Sequence, residues 1–406
     1  MTFPLLSLRR LFRVVNGGTP TSDAMNWGGD VPWATPADFS GRLTDITITR
    51  RSLTRDGARS GSVIVPRGSL LVSTRAPIGY VCVTGTDMAF NQGCRALVPA
   101  AAVDVRFFGY QLEARRADLQ AEGLGTTFLE LSSERLSSFK VAAPPLDEQR
   151  RIADFLEAET GRIDRLMHLY GRLSGLAAER AQRVLDEAVE SRTHQVPLRY
   201  IVRFREGPGI MATDFRDDGV PLIRIAGLNK GEVTLNGCNF LDPGQVARQW
   251  KQFRLRLGDR LISGSATMGG VSVVRDPAVV GSIPYTGLII LRPTQGDVDM
   301  EYVETFLRSS HFMRQIHLLK TGATMQHFGP THLSQVKAPL PSPADQHAIA
   351  LAAREVVDHA ASCEELTKRQ IALLEERRRA LITAAVTGQF DVAAAGGRNV
   401  TERGPA

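Results

Sequence analysis

The sequence predicts a mixed α/β (α+β) protein in which two tandem globular domains are each followed by a long helix. Three observations predict this architecture. The 406-residue chain contains an internal duplication, each copy contains short β-branched segments bounded by glycine or proline, and each copy ends in a long stretch with a helical apolar period. Its hydrophobic (43%) and charged (23%) fractions are those of a folded globular protein.

The duplication is visible at both ends of each copy. The segment LRRLFRVVNG (8–17) matches LRYIVRFREG (198–207), and GTTFLELSSERLSSFKVAAP (125–144) matches GATMQHFGPTHLSQVKAPLP (322–341). The separation between the copies grows within the globular parts and then stays constant along the helices. Each half therefore combines a variable globular part with a helix of fixed length.

The globular parts are predicted to span 1–145 and 193–341. Both contain short apolar runs that are typical of strands, at 69–74 and 80–85 in the first copy and at 259–264 and 270–276 in the second. In each copy a predicted helix closed by glycine follows the strands. The two predicted helices cover 105–123 and 299–322.

The helical parts are predicted to span 146–192 and 342–390, and each has an apolar stripe with spacings of mostly three, four or seven residues. Such stripes favour antiparallel pairing of the two helices as a coiled coil with pseudo-twofold symmetry. The alternative is that each stripe packs only on its own globular part. The residues predicted to lie in a helix or subunit interface are Ile152, Leu156, Ile163, Leu166, Leu173, Val184, Val356, Leu366, Leu373, Leu381 and Val386.

Two further features concern the ends of the helices. The Arg-rich segments 177–183 and 375–380 are expected to form mainly solvated helix faces, with apolar neighbours such as Ile382 and Ala385 facing a partner or the opposite domain. The Ala- and Gly-rich tail, 391–406, is expected to be disordered.

Composition favours an anionic partner. The net charge of +6 and the pI near 9.3 make nucleic acid a more plausible partner than a membrane. The four cysteines have no C-x-x-C spacing, and the sequence shows no signal segment and no apolar run of membrane-spanning length. We therefore expect a reduced, cytoplasmic protein without disulfides, a zinc ribbon or a membrane partner. The cysteines are Cys82, Cys94, Cys238 and Cys363.

No catalytic constellation is found in the sequence. It lacks the phosphate-binding G-x-x-x-x-G-K-[ST] loop, the G-x-S-x-G elbow, the H-E-x-x-H zinc helix and an adenine-methyltransferase motif. The histidines between 311 and 332 have spacings that suit no helical pair of metal ligands. The sequence therefore predicts a binding protein with no catalytic residue, no metal and no cofactor of its own.

Three motifs together resemble the DNA-specificity subunit of bacterial type I restriction-modification systems. They are NGGTPTSDAMNWGGDVPWATPADF (16–39), PPLDEQRRIADFL (144–156) and RRRALITAAVTGQFDV (377–392), and the resemblance extends over nearly the whole chain. The second copy departs from the family pattern at 206–215, where EGPGIMATDF replaces the GGTPTS loop, and at 342–350, where the helix start is a loose version of the first. These departures leave the fold and specificity of the second domain open.

The resemblance implies a non-catalytic subunit that binds double-stranded DNA. Each globular part would be a target recognition domain for one half of a bipartite DNA sequence. The two helices would set the gap between the halves and dock two methyltransferase subunits, which a restriction/translocase subunit joins for cleavage. S-adenosylmethionine, ATP and Mg would be used by those partner subunits.

Candidate DNA-contacting residues are polar side chains in glycine-flanked loops, because arginine recognises guanine and Asn or Gln recognises adenine in the major groove. Ordinary turns whose polar groups cap strands and helices are the alternative for each residue. The candidates are Arg75, Asn91, Gln92, Thr126 and Thr127 in the first domain and Arg224, Ser265, Thr267, Lys320, Thr324 and Gln326 in the second.

Two other functions remain open from the sequence. A single-chain nuclease or methyltransferase would need catalytic motifs that the sequence does not contain. A coiled-coil adaptor that dimerises a partner protein explains the duplication equally well, but it gives no reason for the globular parts to diverge while the helices keep their spacing.

Overall fold

The computed structural model describes residues 3–123, 130–190, 194–229, 231–264, 270–319 and 328–392. It confirms the predicted mixed α/β fold, with two sheet-rich parts and two long helices. The chain forms two compact units. The first unit contains residues 1–170 and 369–406, and the second unit contains residues 171–368. Each long helix therefore contributes one half to each unit, and the predicted linear segment boundaries remain predictions.

The first unit contains three sheets. Its strands are β1 (Leu5–Ser7), β2 (Phe12–Asn16), β3 (Trp27–Ala34), β4 (Asp45–Ile46), β5 (Ser52–Leu53), β6 (Ile64–Val65), β7 (Leu70–Ser73), β8 (Val81–Thr84), β9 (Met88–Phe90), β10 (Cys94–Pro99) and β11 (Lys140–Ala142). A five-stranded sheet has the order β2-β10-β7-β8-β4, a four-stranded sheet has the order β5-β3-β9-β6, and β1 pairs with β11. Every residue of β7 and β8 is buried, which explains their continuous apolar sequences.

The helices of the first unit are α1 (Arg55–Gly61), α2 (Val105–Ala114), α3 (Arg116–Ala121), α4 (Ser133–Ser138), the beginning of α5 (Leu146–Glu190) and the end of the second long helix. The single helix predicted over 105–123 is wrong, because the backbone leaves the helical region at Arg115. There the guanidinium lies over the Phe139 ring and donates a hydrogen bond to the Lys140 carbonyl.

The second unit repeats this arrangement. Its strands are β12 (Gln195–Pro197), β13 (Val202–Glu206), β14 (Phe215–Arg216), β15 (Val220–Ile223), β16 (Leu228–Asn229), β17 (Glu232–Val233), β18 (Asn239–Leu241), β19 (Arg260–Ser263), β20 (Val271–Val273), β21 (Ile283–Pro284), β22 (Leu288–Pro293) and β23 (Lys337–Pro339). The sheets have the orders β13-β22-β19-β20-β17-β16, β14-β18-β15-β21 and β12-β23. As in the first unit, the opening strand pairs with the strand that precedes a long helix.

The helices of the second unit are the end of α5, α6 (Pro243–Gln245), α7 (Met300–Arg308), α8 (Ser310–Leu319), α9 (Pro330–Leu333) and the beginning of the second long helix, α10 (Pro343–Val386). The predicted single helix over 299–322 is also wrong, because it breaks at Ser309. The Ser309 hydroxyl donates to the Phe306 carbonyl and accepts from the Phe312 amide, so it satisfies backbone groups at both helix ends. No helix among the described residues is long and apolar enough to cross a membrane.

A buried glutamine fixes the start of each long helix. The Gln149 side-chain amide donates to the Pro144 carbonyl (2.7 Å) and its oxygen accepts from the Asp104 backbone amide (2.9 Å). Gln346 makes the same two bonds, to the Pro341 carbonyl (3.0 Å) and from the Asp299 amide (2.9 Å). These contacts explain why the sequence repeats a proline–acidic–Gln pattern before each helix.

Within the first unit the two long helices run antiparallel. Near the start of α5, the Phe155 ring lies 5.6 Å from the ring of Phe390, which follows the end of α10. Further along α5, an Asp164 carboxylate oxygen lies 3.5 Å from the Nε of Arg378, which comes earlier in the sequence than Phe390. The two helices therefore run in opposite directions. Arg378 is buried and also pairs with Glu113 of α2. The prediction that the Arg-rich segment is a solvated face is therefore wrong for Arg378.

Several stripe residues belong to the core of the first unit. Ile152, Leu156 and Val386 are fully buried, and Ile163 is 3% exposed. Ile382, Ala385 and Val392 pack in the same core, so these residues offer no surface to a partner, and the expected disorder of the tail does not apply to Val392.

Other stripe residues are accessible. Leu166, Leu173, Leu366 and Leu373 are between 39% and 61% exposed, whereas Val184, Val356 and Leu381 are half-buried. The apolar stripes are therefore not buried along their whole length. The assignment of the exposed leucines to a subunit interface remains a prediction.

Candidate nucleic-acid interface

A tight turn at Asn91–Gly93 joins β9 to β10 in the first unit. The Asn91 side-chain oxygen accepts from the Gly93 amide (3.0 Å), and the Asn91 carbonyl accepts from the Cys94 amide (3.1 Å). Gln92 is exposed, and its side-chain oxygen accepts a hydrogen bond from the Thr19 hydroxyl. The Asn91 oxygen thus stabilises the turn, as the ordinary-turn alternative proposes, while Gln92 remains at the surface.

The turn lies directly against the chain at Gly17. A Cβ atom built on Gly17 would lie 2.1 Å from the Asn91 carbonyl oxygen, a distance that no side chain can tolerate. The Gly18 amide donates to the Phe90 carbonyl (2.9 Å) and fixes the approach. Glycine is therefore required at this position by close backbone packing.

Arg95, the second residue of β10, stabilises the turn through side-chain hydrogen bonds. Its guanidinium donates to the Gln92 carbonyl (2.8 Å), to the Cys94 carbonyl (3.0 Å) and to the Ser133 hydroxyl (2.7 Å). Ser133 in turn donates to the Asn16 side-chain oxygen (2.5 Å). These bonds connect the turn to β2 and α4.

Glu130 brings Arg75 into the same cluster. One carboxylate oxygen of Glu130 accepts from Arg95 (3.2 Å) and the other pairs with Arg75 (3.2 Å). The Arg75 side chain is 50% exposed, whereas that of Arg95 is 13% exposed. Arg75, Asn91 and Gln92, which were predicted from separate loops, therefore lie in one polar cluster. Thr126 and Thr127 lie outside the described residues.

The second unit has a turn at the equivalent position with different side chains. Tyr285–Gly287 precedes β22, and a Cβ on Gly207 would lie 2.4 Å from the Tyr285 carbonyl oxygen. Here the Gly287 amide donates to the Glu206 carboxylate (3.1 Å), and the Thr286 hydroxyl donates to the Pro208 carbonyl (2.8 Å). The position of the turn and its closing backbone hydrogen bond are thus shared. Its exposed side chains differ, and so does its backbone, because Gly287 has a positive φ of 86° and Gly93 does not.

Arg224 lies beside this second turn. Its guanidinium is 4.4 Å from the centre of the Tyr285 ring and donates to the Asn239 side-chain oxygen (2.8 Å). A guanidinium held over an aromatic ring keeps several N–H donors available for another acceptor. The remaining predicted residues of the second domain, Ser265, Thr267, Lys320, Thr324 and Gln326, lie outside the described residues.

Sequence reasoning missed Arg95, Glu130 and Ser133. Arg95 lies inside an otherwise apolar strand, CRALVP, and a charged residue at a half-buried strand position is a signal that could have identified it. Glu130 and Ser133 lie more than thirty positions further along the chain, and nothing in their local pattern indicates this contact.

The titratable groups around the turn do not form a nucleophilic site. Burial raises the pKa of the Cys94 thiol well above its ordinary value, and burial does the same to Cys82. Both thiols therefore stay protonated at neutral pH. In the part of the chain that the structure describes, no three His, Cys, Asp or Glu side chains are grouped to hold a metal ion.

Comparison with known proteins finds similarity to type I DNA-specificity subunits. Residues 5–167 match the family model of the type I restriction modification DNA specificity domain. The chain is 32% identical over 155 residues to the MjaIX type I specificity subunit of Methanocaldococcus jannaschii, a match that covers 37% of this chain and 36% of that protein. A second match, to the MjaVIII specificity subunit of the same organism, is 21% identical and covers 71% of each chain.

Residues 5–167 of the chain are therefore similar to type I specificity subunits. The match to the first of these relatives spans only about a third of that protein's length. The match to the EcoBI specificity subunit of Escherichia coli, 21% identical, extends over 73% of this chain and 68% of that protein. Similarity to the family therefore reaches beyond the first globular part.

Solved structures share the fold of this chain over nearly its whole length. A chain from a structure of type I R-M complex assembly and conformational transition superimposes with a TM-score of 0.77 at 16% identity, covering 96% of this chain and 98% of that chain. The HsdS subunit from Thermoanaerobacter tengcongensis gives a TM-score of 0.55 at 17% identity and covers 96% and 97% of the two chains. At these identities the likeness shows the fold.

Proposed function

We propose that this chain is the DNA-specificity subunit of a type I restriction-modification complex, and that each of its two units recognises one half of a bipartite DNA target. The chain would supply sequence recognition, while methyl transfer, ATP-driven translocation and cleavage would belong to partner subunits. S-adenosylmethionine, ATP and Mg would be needed by those partners.

One observation carries this proposal: the two units place different side chains on turns at equivalent positions. Gly17 and Gly207 make the same close approach to the turns at Asn91 and Tyr285. On the strands that follow, Arg95 lies opposite Asn16, whereas its equivalent, Ile289, lies opposite Glu206. A shared scaffold with different exposed polar groups suits the recognition of two different base sequences.

Phosphate contacts are expected to supply most of the affinity and base contacts the specificity. The net charge of +6 favours association with DNA, and binding should weaken as salt concentration rises. Arg75 and Gln92 in the first unit and Arg224 in the second are the described residues that we assign to base recognition. As implied by the family resemblance, the long helices would determine the number of base pairs between the halves.

The partner surface is proposed to lie on α5, where leucines remain accessible. Leu173 and Leu176 are 50% and 56% exposed and lie three residues apart, on one face of the helix. Exposed leucines at helical spacing are typical of helices that bind another protein. This surface replaces the segment around Ile382 and Ala385, which is buried in the first unit.

Co-purification tests this partner surface. Substituting Leu173→Ser and Leu176→Ser should reduce recovery of the methyltransferase subunit, because an apolar contact is lost without disturbing a buried core. The matched control is Leu257→Ser, which alters a leucine that is 64% exposed outside the helices of the same unit. Equal recovery of the methyltransferase subunit with Leu173→Ser, Leu176→Ser and Leu257→Ser would show that the partner does not bind at Leu173 and Leu176.

Selection from a randomised duplex pool tests the function itself. The chain, reconstituted with its methyltransferase partner, should enrich two short sequences separated by a gap of constant length and variable composition. Failure to enrich any sequence would favour the adaptor that dimerises a partner protein, because that function requires no DNA recognition. The cytoplasmic location expected from the cysteine pattern remains a prediction.

A further inference from the structure

Glu130 lies between two arginines, Arg95, which is mostly buried, and Arg75, which is exposed. Each of its carboxylate oxygens lies 3.2 Å from a different guanidinium, Arg95 on one side and Arg75 on the other. A carboxylate with two arginines has used both oxygens, so its orientation is fixed by the pair.

Arg95 anchors this arrangement to the fold. Besides Glu130, it donates to the Gln92 and Cys94 carbonyls and to the Ser133 hydroxyl. With only 13% of its side chain exposed, it cannot change its rotamer without breaking these bonds. The position of Glu130 is therefore determined from the interior of the first unit.

Arg75 is the solvent-exposed member of the linked set Arg95, Glu130 and Arg75. It contacts Glu130 through Nη2 and projects from the segment after β7 with half of its side chain accessible. A guanidinium has five N–H donors, so one contact to a carboxylate leaves a second edge for bidentate recognition of another group. A side chain held in advance also loses less rotamer freedom on binding.

We propose that Arg75 recognises a guanine in the half-site bound by the first unit, and that Glu130 and Arg95 are positioning residues that aim it. The proposal rests on the proposed function. It adds which base is recognised, which residue contacts that base and which residues orient the contacting side chain. Guanine is favoured because its O6 and N7 acceptors match a guanidinium edge in the major groove. Because a phosphate would accept the same donors without sequence preference, the test must distinguish the two.

The experiment is selection from a randomised duplex pool, using the chain with its methyltransferase partner and three variants. Arg75→Ala should lower the preference for guanine at one position of one half-site by on the order of 10- to 100-fold. Glu130→Gln should lower the preference at that same position by a smaller factor, because it keeps the shape of the side chain but removes the charge that aims Arg75. The sequence selected by the second unit should stay unchanged, which also shows that each variant is folded.

The matched control is Glu122→Gln. Glu122 pairs with Arg135 at 3.0 Å in the same unit, and both side chains are substantially exposed. This variant should select the same two half-sites as the unaltered chain.

Three results would overturn the proposal. A Glu130→Gln chain that selects both half-sites with unchanged preferences would show that Glu130 does not aim Arg75. An Arg75→Ala chain that binds all sequences more weakly, with a lower salt dependence and unchanged preferences, would make Arg75 a phosphate contact. If the unaltered chain selects no bipartite sequence, the proposed function fails as well, so the two failures are distinguishable.

Discussion

At the scale of single residues, the two units differ most at the arginines beside their shared turns. Arg75 is oriented by a carboxylate, whereas Arg224 is held by the Asn239 side-chain oxygen and lies over the Tyr285 ring. Amide and ring contacts orient a guanidinium without neutralising it. The two arginines are therefore oriented by different kinds of contact.

Substituting Arg224→Ala should change only the half-site bound by the second unit. The loss of a base contact should reduce discrimination at one position by about 1–3 kcal/mol. Selection from a randomised duplex pool measures this effect, with Arg248→Ala, an exposed arginine of the same unit, as the control. A change in the other half-site, or in both, would contradict the assignment of Arg224 to the second unit's target.

Single site residues could be predicted from sequence where their immediate neighbours in the chain form a recognisable pattern. Polar residues flanked by glycine led to Arg75, Asn91 and Gln92, which the structure brings into one cluster. Arg95 and Glu130 were missed because they meet across segments that are distant in sequence, which no local pattern specifies. For Asn91 the pattern was ambiguous, since a side chain that stabilises its own turn has the same signature as one that contacts a base.

At the scale of elements, the start of each long helix is stabilised by a glutamine that is almost completely buried. Gln149 and Gln346 are 4% and 2% exposed. Gln149 connects Pro144 to Asp104, the N-terminal cap of α2, and Gln346 connects Pro341 to Asp299, the N-terminal cap of α7. A buried amide with both polar atoms paired fixes the angle between two elements, because any rotation leaves a donor or acceptor unpaired.

Truncation of either glutamine should destabilise its own unit. Gln149→Ala leaves the Asp104 amide and the Pro144 carbonyl without their partner, which should lower the free energy of unfolding by about 1–3 kcal/mol. Thermal unfolding of Gln149→Ala and Gln346→Ala, compared with the exposed Gln249→Ala, measures the effect. Equal melting temperatures for all three variants would show that the buried bonds contribute little.

The sequence predicts the long helices well and the shorter ones less well. A stripe of about forty residues is a strong signal, and the structure has helices at Leu146–Glu190 and Pro343–Val386. The breaks at Arg115 and Ser309 were missed because both residues are compatible with a helix. Each leaves the helix for a hydrogen bond or ring contact that only the folded chain provides.

At the scale of the whole molecule, the chain is divided into two units, and the first is built from two separate segments of the sequence. Residues 369–392 complete the first unit, where Ile382, Ala385 and Val386 pack against a core that also contains Leu8 and Phe12. The duplication predicted two equivalent halves, but it could not show that the end of the second helix belongs to the first half's core. Removing that segment would therefore test the stability of the first unit rather than partner binding.

The central claim is that one chain recognises two separate DNA sequences. It is tested most directly by sequencing the methylated bases of a host that expresses this chain with its methyltransferase partner, alongside the same host without the chain. We expect a split motif with a gap of constant length only when the chain is present, and exchange of residues 1–145 for those of a relative should change one half alone. A continuous motif, unchanged methylation without the chain, or a change in both halves after the exchange would contradict the account.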